Sequence, residues 1–154
     1  MTINSTILGG GISVDLDAIT RNWKAIDTIS GQALTAAVVK ADAYGLGLKP
    51  VSRTLYQAGA RFFFVATPDE GVALRAALPR AHIFILDGLV PRTARDYAAH
   101  NLMPVLASMG QLTEWLDFCL NRGEAAPAAL HFDTGFNRVG FRMKEAELVQ
   151  RELA

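Results

Sequence analysis

Arg61-Phe62-Phe63-Phe64-Val65-Ala66-Thr67-Pro68-Asp69-Glu70 compresses the logic of the chain into one short passage. Phe62 to Ala66 is an apolar run of strand length, too short to cross a membrane. Thr67-Pro68-Asp69-Glu70 then starts a helix, with Thr at the cap, Pro at the first helical position and Glu at the third. That helix is expected to run to about Leu78 and to stop at Pro79. A strand that turns at once into a helix is half of a βαβ unit.

The same pattern extends in both directions. Downstream, strands are predicted at Ile83 to Leu86, Pro104 to Leu106 and Ala128 to Phe132. Helices are predicted from Pro91 to Ala99, from the Ser108 cap to about Leu120, and from Lys144 to Leu153. Upstream, Pro50 to Ala58 reads as a helix closed by Gly59. Leu34 to Val39 is continuously apolar, as in a strand buried on both faces. Asp17 is the expected N-cap of a helix from Ala18 to Ile29 that Gly31 stops, and Gly11 to Leu16 reads as a first strand.

Alternating strands and helices with no linker between them imply a parallel sheet. A doubly wound sheet would place a glycine-rich phosphate loop after an early strand, whereas Gly9-Gly10-Gly11 comes before one. The other solution is part of a (β/α)8 barrel, which takes about 250 residues to close. The expectation is an α/β fold: a partial TIM-type barrel of about five of eight β/α units over 34–154, preceded by a strand and helix within 1–33.

Composition narrows the function. The chain has 154 residues, is 51% hydrophobic and 19% charged, and carries 15 basic and 15 acidic side chains. It is too apolar for a disordered chain, and its zero net charge argues against nucleic-acid or anionic-membrane partners. The start, Met1-Thr2-Ile3-Asn4-Ser5, does not read as a secretory signal. The single cysteine, Cys119, excludes an internal disulfide framework and fits a reducing, cytoplasmic setting. Cys119 reads as a packed helix residue, His82 and His100 as structural, and no spacing matches a metal site. Trp23 and Trp115 are expected to pack on the sheet.

Two stretches can carry chemistry. In Val38-Val39-Lys40-Ala41-Asp42-Ala43-Tyr44-Gly45-Leu46-Gly47, Lys40 ends an apolar strand, where ligands bind in parallel α/β folds. An ammonium there must be paired or have a depressed pKa, and a neutral amine is the form that makes Schiff bases. A pairing with Asp42 accounts for it equally well. In His131-Phe132-Asp133-Thr134-Gly135-Phe136-Asn137-Arg138-Val139-Gly140-Phe141, Arg138 lies in a glycine-bracketed loop after another strand. An arginine there can fork onto a carboxylate or phenolate, or join a surface ion pair.

Taken together the two stretches resemble the alanine racemase family of pyridoxal-phosphate enzymes, which pair a barrel with a second β-domain. Lys40-Ala41-Asp42-Ala43-Tyr44-Gly45 followed by Gly47 is similar to the family's cofactor-lysine signature. Asp133-Thr134-Gly135-Phe136-Asn137-Arg138-Val139-Gly140 is similar to a second one. The resemblance implies that Lys40 carries pyridoxal phosphate as a Schiff base and handles the D-alanine α-proton. It implies that Tyr44 bonds the cofactor phosphate, that Leu86 lines the pocket, and that Arg138 sits by the cofactor's phenolic oxygen and helps to hold the substrate alanine.

Two positions depart from the pattern. Leu46 stands where many members have His. His131 stands where several have a carbamylated lysine, leaving an anion, a water or His131 itself as the partner of Arg138. The resemblance also implies a homodimer that supplies D-alanine for peptidoglycan, with the second base, a tyrosine, in the C-terminal β-domain. That domain is absent here, so the chain is expected to be an inactive fragment of a full-length racemase. The alternative is a cofactor-binding homeostasis barrel without turnover, but those relatives lack the Ala-Asp-Ala-Tyr-Gly stretch.

Overall fold

The computed structural model describes residues 11–153. Its first helix, α1 (Leu16–Ser30), starts earlier than the sequence predicts: Asp15, not Asp17, is the cap, and its Oδ1 accepts the Ala18 N–H at 2.9 Å. The strand expected over Gly11–Leu16 is not formed. A strand exists only against a ladder partner, residues 11–15 have none among the described residues, and Ile12 is exposed. Gly31 ends α1 as expected. Met1 to Ser5 and the first two residues of the Gly9-Gly10-Gly11 run lie outside the described residues.

Five parallel strands succeed one another in chain order, β1 (Ala37–Val38), β2 (Phe62–Val65), β3 (His82–Ile85), β4 (Leu102–Leu106) and β5 (Ala129–Leu130), each paired with the next. Between them run the helices α3 (Leu48–Ala58), α4 (Pro68–Ala77), α5 (Ala94–Ala99) and α6 (Met109–Arg122). A short turn, α2 (Lys40–Tyr44), closes β1. Only His131 separates β5 from β6 (Phe132–Asp133), which pairs in parallel with β7 (Phe141–Arg142). His131 joins the two ladders: its N–H donates to the Leu106 carbonyl at 2.8 Å, and its own carbonyl accepts the Phe141 N–H at 2.7 Å. The chain then turns through a 3-10 segment, Met143–Glu145, into α7 (Ala146–Glu152).

Alternation along the strands divides the sheet into two faces. Val39, Phe63, Val65, Ile83 and Ile85 are buried under the helices, against Leu55, Leu74, Tyr97, Leu112 and Trp115. Each such side chain contributes about 1.5–3 kcal/mol of burial free energy. The other face bears Val38, Phe62, Phe64, Phe84, Met103 and Val105. Phe64 stacks on Phe84 with ring centroids 4.8 Å apart, and Phe62 on His82 at 4.7 Å. The strand expected over Leu34–Val39 pairs only at Ala37–Val38 and is not buried on both sides as its composition predicts: Val38 is 47% and Leu34 77% exposed, whereas Met103 and Val105 at the other end of the sheet are buried.

The capping box at Thr67 and Glu70 forms as read from the sequence. The helix expected from Pro91 begins only at Ala94, because Arg92 takes a positive φ of 65° and its N–H donates to the Glu114 carboxylate. Trp115 packs edge-on against Tyr97 in the core, while Trp23 is partly buried against the core beside Gly59 at the end of α3. Cys119 is a free, half-buried thiol packed on the core. Among the described residues no group of His, Cys, Asp or Glu could hold a metal ion, and no helix is long and apolar enough to cross a membrane.

Candidate active site

All five strands of the main sheet run the same way, so their C-terminal ends form one rim. The register fixes who stands beside whom there. Val38 pairs with Phe64, and Val65 with Ile85. Pairing of β1 ends at Val38; the Val39 N–H still donates to the Phe64 carbonyl at 2.9 Å, but Val39, at ψ 23°, turns the chain out of the strand, so Lys40 lies just past the end of β1, as Ala66 lies just past β2 and Leu86 just past β3. The Leu86 N–H donates to the Val65 carbonyl at 2.9 Å, which carries the ladder to that level. Lys40 and Leu86 thus both follow strands at this rim, and both are half-buried.

The backbone after Lys40 is unusual. Ala41, Asp42, Ala43 and Tyr44 all have φ of 51–56°, so α2 is a single left-handed turn built without glycine. Left-handed helical conformation costs roughly 1–2 kcal/mol per L-residue, so the turn must be held by its surroundings. Within the turn, the N–H groups of Ala43 and Gly45 donate to the Val39 and Ala41 carbonyls at 3.0 and 2.9 Å. Asp42 holds the exit: its carbonyl accepts the Gly47 N–H at 2.8 Å, and its carboxylate Oδ1 accepts the Leu48 N–H at 2.6 Å. Glu70 holds the entry, its Oε1 accepting the Ala41 N–H at 2.6 Å. Ala43 is buried beneath the turn, and Gly45, in the same left-handed region, closes it.

This geometry separates the two readings of Lys40. Asp42 is engaged with α3, and among the described residues no carboxylate forms an ion pair with the Lys40 ammonium. The turn leaves Tyr44 63% exposed at the rim, its phenol without a hydrogen-bond partner among the described residues. Leu46 is also exposed.

Arg138 sits on the loop from Thr134 to Gly140, which leaves the C-terminal end of β6 on the same rim. Asp133 organises that loop: its Oδ1 accepts the N–H groups of Gly135 and Asn137, each at 3.0 Å. Those bonds, the one from Asn137 first, hold the Asp133 carboxyl below its ordinary value. Gly140 ends the loop at φ 125°, and a Cβ there would stand 2.7 Å from the Asp133 nitrogen. The surface ion pair considered for Arg138 is not formed. Its guanidinium lies over the Phe136 ring, 4.8 Å from the centroid, and no hydrogen bond joins it to His131 or to Lys40.

Glu70 is the residue that sequence reasoning places only as a helix cap. Its motif gives the capping box but not its reach across to Ala41. A separate hollow, lined by Arg75, Arg80, His82, Asn101 and Arg122, opens at the opposite, N-terminal ends of the strands. Arg75 takes part in no site: its guanidinium donates to the backbone carbonyls of Leu78, Pro79, Ala81, His100 and Asn101.

Comparison with known proteins gives one consistent result. The family model described as alanine racemase, N-terminal domain, matches residues 14–154. A biosynthetic alanine racemase of Agrobacterium fabrum is 50% identical over 135 residues, covering 88% of this chain and 34% of that protein. The chain therefore spans about a third of that curated relative's length. Among solved structures, the alanine racemase of Bartonella henselae, with covalently bound pyridoxal phosphate, superposes with a TM-score of 0.86 at 33% identity, over 90% of this chain and 40% of that one. A histidine racemase of Leuconostoc mesenteroides superposes with a TM-score of 0.80 at 28% identity, over 89% and 37%.

Proposed function

The chain belongs to the alanine racemase N-terminal domain family, and from that premise we propose that it is the lysine-bearing barrel portion of a pyridoxal-phosphate-dependent amino-acid racemase. In the full-length protein it takes part in interconverting L- and D-alanine, in the cytoplasm and as a homodimer, in support of cell-wall synthesis. Residues 34–154 supply the barrel strands of the cofactor site, and a further β-domain and the second base come from elsewhere in that protein.

One observation carries the reading: an amine with no carboxylate partner among the described residues, on the strand-end rim of a parallel sheet, presented by a strained turn. The residues present fit the cofactor. Lys40 offers the nucleophilic amine, Tyr44 an unengaged phenol for a phosphate oxygen, and Leu86 with the Phe64–Phe84 stack an apolar floor for a planar ring. Pyridoxal phosphate, when bound, supplies the electron sink that acidifies the substrate's α-proton. Lys40 serves as the base on one face of that carbon, taking the proton there in one direction of the reaction and supplying one there in the other, while the second base acts on the opposite face. Arg138 orients the cofactor's phenolic oxygen and the substrate carboxylate through its planar fork. The 50% identical relative, named a biosynthetic alanine racemase, supports alanine as the substrate. The histidine racemase shares the backbone shape, so side chains and not the fold must set that preference.

The test uses the full-length protein. Wild type incubated with pyridoxal phosphate and reduced with borohydride should carry the label on Lys40, by peptide mass spectrometry. Lys40→Ala should lose the label, the cofactor's absorbance near the visible edge and all racemisation. Covalent label in Lys40→Ala would refute the assignment.

A further inference from the structure

We propose that Glu70 is a positioning residue for Lys40, a carboxylate clamp that holds the left-handed turn in register with the neighbouring strand. The proposal rests on the reading of Lys40 given above and extends it to a residue that touches neither cofactor nor substrate.

Glu70 makes more bonds than its cap requires. A capping box needs one carboxylate oxygen to reach back to the cap residue's N–H. Glu70 does this with Oε2, which accepts the N–H groups of Ala66 at 2.8 Å and Thr67 at 3.4 Å. Oε1 is not needed for the cap, yet it makes the shorter bond, 2.6 Å, to the Ala41 N–H, 29 positions back along the chain. Ala41 directly succeeds Lys40, and Ala66 directly follows β2, the strand paired with β1. One carboxylate thus ties the backbone leaving Lys40 to the backbone leaving the neighbouring strand.

The need for such a clamp arises from the backbone itself. The first N–H groups of any helical turn, of either hand, have no acceptor inside it. Here that turn is also strained, with four successive non-glycine residues at positive φ. Without an external acceptor at its entry, the turn is free to relax into ordinary backbone, and the exit vector of the Lys40 side chain changes with it. Asp42 secures the far end against α3 but cannot substitute at the near end.

The experiment separates clamp from cap in the full-length protein. Glu70→Gln keeps one carbonyl oxygen for the Ala66 and Thr67 N–H groups but presents an NH2 group or nothing to Ala41. Glu70→Asp keeps the charge but is too short to span both strands. Thr67→Ala removes the hydroxyl half of the box, which accepts the Glu70 N–H at 3.3 Å, and leaves the bond to Ala41 in place. Two quantities are read: amide hydrogen exchange across 41–47 without cofactor, and the pyridoxal phosphate concentration that half-saturates borohydride-trapped label on Lys40.

Both Glu70 variants should exchange at Ala41 and Ala43 at least about tenfold faster, and require about tenfold more cofactor, as loss of a charge-assisted bond predicts. Thr67→Ala should stay within about twofold on both, even if its urea midpoint falls as far. Wild-type labelling of Lys40 in Glu70→Gln and Glu70→Asp would overturn the clamp alone, and so would an equal loss in Thr67→Ala. Label on a residue other than Lys40 in the wild type would instead defeat the functional reading, and with it the purpose assigned to Glu70.

Discussion

Asp42 commits its carboxylate to Leu48, whose N–H donates to Oδ1 at 2.6 Å, and makes no ion pair with Lys40. The bond acts as a helix cap delivered from a distance. Gly47, the residue in the capping position of α3, has no side chain to do this. Asp42→Ala should therefore cost about 1 kcal/mol, the usual worth of an N-cap. Asp42→Asn, which keeps an acceptor oxygen, should recover most of it. Urea denaturation of the three proteins, compared at constant m-value, is the measurement.

Arg75 should be a larger determinant of stability than any surface ion pair in the protein. It ties the end of α4 to the segments entering β3 and β4 through carbonyls of five residues, and burial pulls its pKa below the ordinary arginine value. Arg75→Ala should destabilise the fold by about 2–3 kcal/mol. Arg75→Lys should recover less than half of that, because a single ammonium cannot fork among separated acceptors. Arg122→Ala, which breaks the exposed pair with Glu124, should change stability by no more than about 1 kcal/mol. Parallel thermal melts rank the three.

Tyr97 should make the fold sensitive to alkali. Its ring is buried and its hydroxyl donates to the Gly88 carbonyl at 2.7 Å. Burial raises its pKa above the ordinary 10.0, with the nearby Asp87 carboxylate adding in the same direction. A raised folded-state pKa means that the native protein holds the phenolic proton more tightly than the unfolded chain does. The resulting stability is fully present below about pH 10 and is lost as the pH rises toward the folded-state value. Tyr97→Phe should cost about 1 kcal/mol at neutral pH and should flatten the alkaline limb of the stability profile. Urea midpoints from pH 8 to 11 test both statements.

Gly140→Ala should loosen the Arg138 loop. The added methyl would meet the Asp133 nitrogen at 2.7 Å and the His131 oxygen at 3.0 Å, and backbone cannot retreat as a side chain does. A φ of 125° adds strain for any L-residue. The expected loss is about 2 kcal/mol or more. It should be accompanied by faster amide exchange at Gly135 and Asn137, whose N–H groups bond Asp133.

The sequence makes some of this legible and hides the rest, for physical reasons. Each of the five main strands is visible because a strand inside a βα array must be apolar. The caps at Thr67 and Ser108 and the stops at Gly31 and Gly59 are local chemistry, and local reading finds them. Lys40 can be placed on the rim from its position at the end of such a run. The left-handed turn is not legible, because Ala41, Asp42, Ala43 and Tyr44 prefer negative φ and only contacts with Glu70 and α3 hold them otherwise. β7 is hidden for a related reason: it is two residues long and exists only through its ladder with β6. The false strand before α1 is the converse error, since Ile12, Val14 and Leu16 alternate as a strand would but have no ladder partner among the described residues. An Asp42 partner for Lys40 is not formed because the Asp42 carboxylate is taken by the Leu48 N–H, a bond to the next helix that local reading does not anticipate.

Strand order carries a consequence for synthesis. Each strand of the main sheet lies against the one made just before it, so a nascent chain leaving the ribosome finds its template already assembled. Such growth keeps contacts close along the chain and favours rapid, stepwise acquisition of structure. The exception is the turn after Lys40. Its acceptor is translated 29 residues later, on the first turn of α4. Until that helix emerges, the segment following Lys40 has its strain but not its latch, so the turn is secured only once the second βα step is complete.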